Sequence, residues 1–165
     1  MRKRILSMLC SIAILCTMLA GVANAQTVDS DVKCVDGSYL TDEDSSTGSS
    51  IQEGARGEYL ATGSCTISRA GLTRIYAYAS TTANRVVNYL QTIVYVDQYD
   101  EATDSWGQVY SWKVEDFNDY YMATDAAVVV EPGYYYRVRA IHVAGDQYPY
   151  EETASYTDGI YLPPI

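Results

Sequence analysis

Val128-Val129-Val130-Glu131-Pro132-Gly133-Tyr134-Tyr135-Tyr136-Arg137-Val138-Arg139-Ala140-Ile141-His142-Val143 is the stretch that decides the fold. Three β-branched residues run into a Pro-Gly pair, and a long aromatic and β-branched run leaves it, ended by Ala144-Gly145. Proline presets φ at the second position of a turn and glycine tolerates positive φ at the third, so residues 131–134 predict a type II turn joining two strands in a hairpin. Side chains alternate along a strand. Tyr134, Tyr136, Val138, Ala140 and His142 should therefore share one face, with Tyr135, Arg137 and Arg139 on the other.

The same grammar extends upstream. Tyr59 to Ile67, Leu72 to Ser80, Val86 to Tyr99, Val109 to Val114, Tyr120 to Met122 and Ala127 to Val130 read as strands, with a last edge strand at Ile160 to Leu162. Polar turns separate them, Asp100 to Gly107 being the longest, and no segment holds a 3.6-residue apolar period. Such spacing predicts an all-β fold, a single antiparallel β-sandwich of immunoglobulin, fibronectin III or jelly-roll type. The organisation expected is a leader over 1–25, a polar, partly flexible lead-in over 26–57 and the sandwich over 58–165.

The leader is read from Arg2, Lys3 and Arg4, the apolar run Ile5 to Val22, and Ala23-Asn24-Ala25. This is the pattern of a cleaved signal peptide, so the chain is expected to start at Gln26 and to be secreted to the extracellular space, with no membrane insertion after cleavage. Val22 stands where a lipoprotein would need Cys, and Leu162-Pro163-Pro164-Ile165 lacks the features of a sortase signal, so no anchor is expected. Removing the three leader cations from 11 Lys and Arg leaves eight against 21 Asp and Glu, a net charge of −13. That surface argues against nucleic acid, which is bound through clustered cations. Two cysteines remain, Cys34 and Cys65. In an exported chain they predict one disulfide tying the lead-in to the sandwich.

The residues Tyr134 to Ile141 before Ala144-Gly145 resemble the penultimate strand of fibronectin type III-like sandwiches, which implies a fold and no activity. Val35-Asp36-Gly37-Ser38-Tyr39-Leu40, Thr81-Thr82-Ala83-Asn84-Arg85, Gly133 to Val138 and Tyr148-Pro149-Tyr150-Glu151-Glu152 together resemble a family of small uncharacterised secreted proteins of gut Firmicutes. This second resemblance implies secretion and leaves mechanism open.

Catalytic signals are thin. His142 is the one histidine; with no second His and no Gly-x-Ser-x-Gly elbow, it reads as a packed residue rather than a base or zinc ligand. Asp97, Asp100, Glu101 and Asp104 crowd one hairpin tip without calcium-loop spacing, and read as a solvated turn. No cofactor, metal or catalytic residue is expected. The conspicuous feature is 17 Tyr against a single Phe. Tyrosine suits surfaces that are dry at one end and wet at the other, although β propensity alone would also enrich it. Two arginines within a strand argue for a solvated face, since an unpaired buried charge is costly. Tyr135, Arg137, Arg139 and Trp106 are accordingly the candidate binding residues of a non-catalytic protein. Its partner would be an extracellular glycan or protein. Self-assembly through sheet edges and a carboxylate hydrolase are the alternatives.

Overall fold

A computed structural model of the chain describes residues 32–50 and 57–165. The leader expected at residues 1–25, with its cleavage before Gln26, lies outside the described residues. Eleven strands run in chain order: β1 Cys34–Val35, β2 Ser38–Thr41, β3 Ser45–Ser49, β4 Leu60–Gly71, β5 Arg74–Val87, β6 Tyr89–Asp100, β7 Ser105–Asp116, β8 Asp119–Val129, β9 Tyr134–Gly145, β10 Glu151–Tyr156 and β11 Gly159–Leu162. They form two packed sheets, a β-sandwich. The larger has the order β1-β2-β11-β9-β6-β7, with β10 also paired to β9; the smaller has the order β3-β4-β5-β8. All pairings are antiparallel except β11 with β2.

The alternation read in the sequence sets the interface between the sheets. On β5, Ile75, Ala77 and Ala79 point inward and are fully buried, while Tyr76 is exposed. They meet Val94 and Val96 of β6, Tyr136, Val138 and Ala140 of β9, and Ile160 and Leu162 of β11. Leu60, Ala83, Val87, Leu90, Met122 and Ala144 form a second buried cluster. Each Val, Leu or Ile removed from water here contributes about 1.5–3 kcal/mol.

Several expectations change in detail. Gly133 takes φ +94°, as a type II turn requires. Yet β8 pairs with β5 and β9 with β6, so the Pro-Gly turn carries the chain from one sheet to the other and does not close a hairpin. The final strand, β11, is interior: it lies between β9 and β2. The polar lead-in, expected to be partly flexible, contributes β1, β2 and β3. Its strands are legible only in context, because β3 is a sheet edge of Ser, Thr and Gly whose backbone pairs with β4 while few of its side chains need burial. A side chain at Gly48 would collide with the backbone of Tyr156, so the small residue lets β3 approach β10.

The expected disulfide is not formed. Cys34 and Cys65 are both free thiols, the first exposed and the second buried. Cys34 sits on the short terminal strand of the larger sheet, whereas Cys65 points into the core between the sheets and donates its Sγ–H to the Val138 carbonyl at 3.5 Å. The lead-in is held instead by hydrogen bonds. The Ser38 hydroxyl donates to the Thr157 carbonyl at 2.8 Å, and the Tyr39 amide donates to Asp158 at 3.0 Å.

Candidate functional site

The outward face of the larger sheet carries one row of aromatic rings across four strands. Tyr161 of β11 faces Tyr135 of β9, and Tyr99 of β6 faces Trp106 of β7. Ring centroids are 4.9 Å apart for Tyr161–Tyr135, 6.5 Å for Tyr135–Tyr99 and 5.5 Å for Tyr99–Trp106. These are edge-on and tilted contacts of the kind aromatic rings prefer. At the Tyr161 end the row floors an open cleft of about 830 Å³, lined by Tyr99, Tyr134, Tyr135, Tyr161, Leu40, Lys33 and the turn residues 100–102.

The β6–β7 turn holds three carboxylates in different states, of which Asp100 and Glu101 line the cleft while Asp104 grips the lining residues Lys33 and Tyr99. Asp100 is consumed by the turn itself: it accepts from the Ala102 amide at 2.9 Å and from the Thr103 hydroxyl at 2.8 Å, and these donors lower its pKa. Asp104 accepts from Lys33 at 2.8 Å and from the Tyr99 hydroxyl at 2.8 Å, which holds its carboxyl below the usual range. Lys33 also donates to Tyr99 at 2.6 Å, so its ammonium is held above its ordinary pKa, first by Asp104 and then by Tyr99. Glu101 forms no ion pair among the described residues. The Tyr135 hydroxyl is harder to ionise than usual, first through burial and then through the fields of Asp42, Tyr161 and Glu101. Among the described residues no group of three or more His, Cys, Asp or Glu is gathered to hold a metal ion.

The four candidate residues named from sequence do come together, though not as an open Tyr–Arg ladder. Arg137 is only 4% exposed. Its guanidinium lies between the Trp106 ring, 4.6 Å away, and the Tyr156 ring, 5.6 Å away. It donates to Asp97 at 3.3 Å and to the Ser38 hydroxyl at 3.1 Å. Burial lowers the Arg137 pKa, and Asp97 opposes that shift. The expectation of a solvated guanidinium is therefore corrected. The turn between β1 and β2 folds over this face, Trp106 covers it, and a neighbouring carboxylate neutralises the charge. Arg139 keeps partial exposure over the Tyr95 ring at 4.0 Å and shares the same Asp97 oxygen at 3.0 Å. Asp97, read in the sequence as part of the acidic tip, is thus a buried ion-pair partner. Trp106 is anchored by its indole N–H to the Val35 carbonyl at 3.0 Å, and a side chain at Gly159 would meet its ring at 2.5 Å. Trp106 and Arg137 support the floor, while Tyr135 is the one of the four that lines the cleft.

His142 lies elsewhere, on the inward face of β9 and fully buried. Its ring nitrogens hydrogen-bond Thr81 and Ser155, each at 2.8 Å, and Thr81 is also 2.6 Å from the Thr92 hydroxyl. Burial drops its pKa to about 4. It is a packed core histidine, as the sequence suggested.

Lys33, Tyr99, Tyr161 and Leu40 were not singled out beforehand. Only Tyr99 carries a signal in the sequence, the i, i+2 alternation Tyr95-Asp97-Tyr99 that parallels Tyr135-Arg137-Arg139; the register that joins the two rows is a tertiary fact. Compared with known proteins, the chain matches no family model and no curated protein.

Proposed function

We propose that this is a secreted, non-catalytic binding protein that holds an extracellular glycan or protein in the tyrosine cleft. The observation that carries the reading is the cleft of about 830 Å³ floored by Tyr99, Tyr135 and Tyr161, a size and lining typical of ligand sites. Its rings are fixed before any ligand arrives. Tyr99 is tied to Lys33 and Asp104, Tyr135 packs against Tyr161, and Trp106 and Arg137 brace the row from the side. Preorganised aromatic surface needs little ordering on binding. Probing arrays of extracellular glycans and proteins with the full chain and with its Tyr135→Ser, Tyr161→Ser double variant tests this. A partner should bind the native chain and be lost with the double variant. A partner held equally by both proteins would place binding outside the cleft and overturn the reading.

Assembly through sheet edges has one observation in its favour: β7, 12 residues long and largely exposed, is the terminal strand of its sheet. A register shift opposite Val96 and Asp97 breaks the regularity of that edge, a device that discourages edge-to-edge pairing. Sedimentation velocity distinguishes the readings, with a monomer expected.

A further inference from the structure

We propose that the tyrosine cleft selects a cationic group, the guanidinium or ammonium side chain of a basic segment in an extracellular protein. The inference rests on the cleft being the binding site, and it adds the charge of what enters. Aromatic faces carry negative potential, and a cation placed over one is attracted to it. Here four tyrosines, Tyr99, Tyr134, Tyr135 and Tyr161, line one open space. Tyr99 is buried and already carries the Lys33 ammonium over its ring at 5.2 Å, so Tyr134, Tyr135 and Tyr161 are the rings left for an arriving cation.

The charges around the rings point the same way. Among the described residues, the only cation lining the cleft is Lys33, and Asp104 neutralises it at 2.8 Å. Arg137 and Arg139 lie on the same sheet face but converge on Asp97, and Arg137 is buried behind Trp106. Arg69, which donates to the Tyr161 carbonyl at 2.7 Å, is paired with Asp44 at 2.7 Å. That leaves Asp100 and Glu101 on the wall, and Asp42 close enough for its field to reach Tyr135. Glu101, Asp42 and Asp100 form no ion pair among the described residues. An arriving cation therefore meets ring faces together with Glu101 and Asp42, carboxylates that no ion pair among the described residues compensates, while Asp100 is already engaged by Ala102 and Thr103. A neutral sugar would use the rings and leave the carboxylate charge unanswered, and a sulfated or carboxylated glycan would be repelled. The net charge of −10 over the chain adds long-range attraction for a basic partner.

The test uses the full chain and three probes: an acetylated, amidated (Gly-Arg)3 peptide, its (Gly-Glu)3 counterpart, and the neutral sugar cellohexaose. Binding is followed by calorimetry and by NMR of ring-labelled tyrosine. The arginine peptide should bind and shift the Tyr135 and Tyr161 ring signals. Its affinity should fall at least about fivefold when salt rises from about 50 mM to about 500 mM, because exposed charges are screened within a few ångströms there. It should fall about tenfold in the Asp42→Asn, Glu101→Gln variant, whose exposed substitutions leave the melting temperature unchanged. The glutamate peptide should not bind. If cellohexaose shifts the same rings and the arginine peptide does not, the inference is overturned while the cleft remains a binding site. If the arginine peptide binds without moving Tyr135 or Tyr161, or equally well to the Asp42→Asn, Glu101→Gln variant, the inference is overturned as well. If no probe binds, the charge preference is overturned, and the array experiment with the double tyrosine variant judges the cleft separately.

Discussion

At the scale of single residues, His142 shows how burial turns a titratable group into a pH-dependent part of the core. Folded, it stays neutral down to about pH 4 because its ring is buried. Unfolded, it takes up a proton below its ordinary value of about 6.5. Its contribution is therefore fully present above about pH 6.5 and is lost as pH falls toward 4, since the unfolded chain then binds the extra proton. The full difference is roughly 3 kcal/mol. Urea unfolding at pH 7.5 and pH 4.5 should show the native chain losing about 2–3 kcal/mol more than a His142→Gln variant; parallel losses in both would refute the assignment. Gly63 belongs to the same site. A β-carbon there would collide with the imidazole of His142, so Gly63→Ala should lower stability by about 1–3 kcal/mol, the range for overpacking a dense core. Chemical denaturation measures this.

At the scale of elements, β9 carries two chemistries on opposite faces. Its inward residues Tyr136, Val138 and Ala140 fill the sandwich, and its outward Tyr135, Arg137 and Arg139 build the platform beside the cleft. The buried outward charge makes β9 depend on β6. Asp97 Oδ2 serves both arginines, while its Oδ1 is buried with no hydrogen-bond partner among the described residues. Removing that carboxylate would strand the Arg137 guanidinium between two rings. Asp97→Asn should therefore destabilise by about 3–5 kcal/mol, the scale for breaking a buried pair from one side. Adding Arg137→Met should recover part of the loss, because an apolar chain of similar length needs no counter-charge. A double-mutant cycle by thermal unfolding reads the coupling, and strict additivity would contradict it. Glu151 of β10 makes a comparable tie. Burial raises its pKa, but the amides of Leu60, Tyr59 and Glu58 donate to it at 2.7, 2.9 and 2.7 Å and bring it below the ordinary value. One carboxylate thereby fixes the start of β4 against β10.

At the scale of the whole molecule, the two thiols report on the sandwich. Cys65 lies in the core with its thiol pKa pushed up to about 11 by burial, while Cys34 is exposed. Only a thiolate reacts at appreciable rate. Native alkylation at pH 8, read by peptide mass spectrometry, should label Cys34 within minutes and leave Cys65 unmodified until denaturant opens the sheets. Equal labelling of both would mean that the two sheets do not shield Cys65.

Much of the fold was legible in the order of residues because the signals involved are local. A side chain one position along a strand must point to the other face, so Tyr134, Tyr136, Val138, Ala140 and His142 were marked as one face and Tyr135, Arg137 and Arg139 as the other before any neighbour was known. Pro132-Gly133 announced a turn by its own backbone preferences. The same turn could not say whether its two strands pair with each other, because that depends on which partners, β5 and β6, take them up. Likewise two cysteines in a chain read as exported suggested a bond, but only the packed sheets decide whether their sulfurs meet. The cleft was least legible. Lys33, Tyr99, Tyr135 and Tyr161 come from four separate strands or their flanks, and inter-strand register, set by the backbone ladder and the burial of the opposite face, aligns their rings. Sequence determined the faces, since alternation is a property of each strand. The tertiary structure decided the site, since a site is a relation between strands.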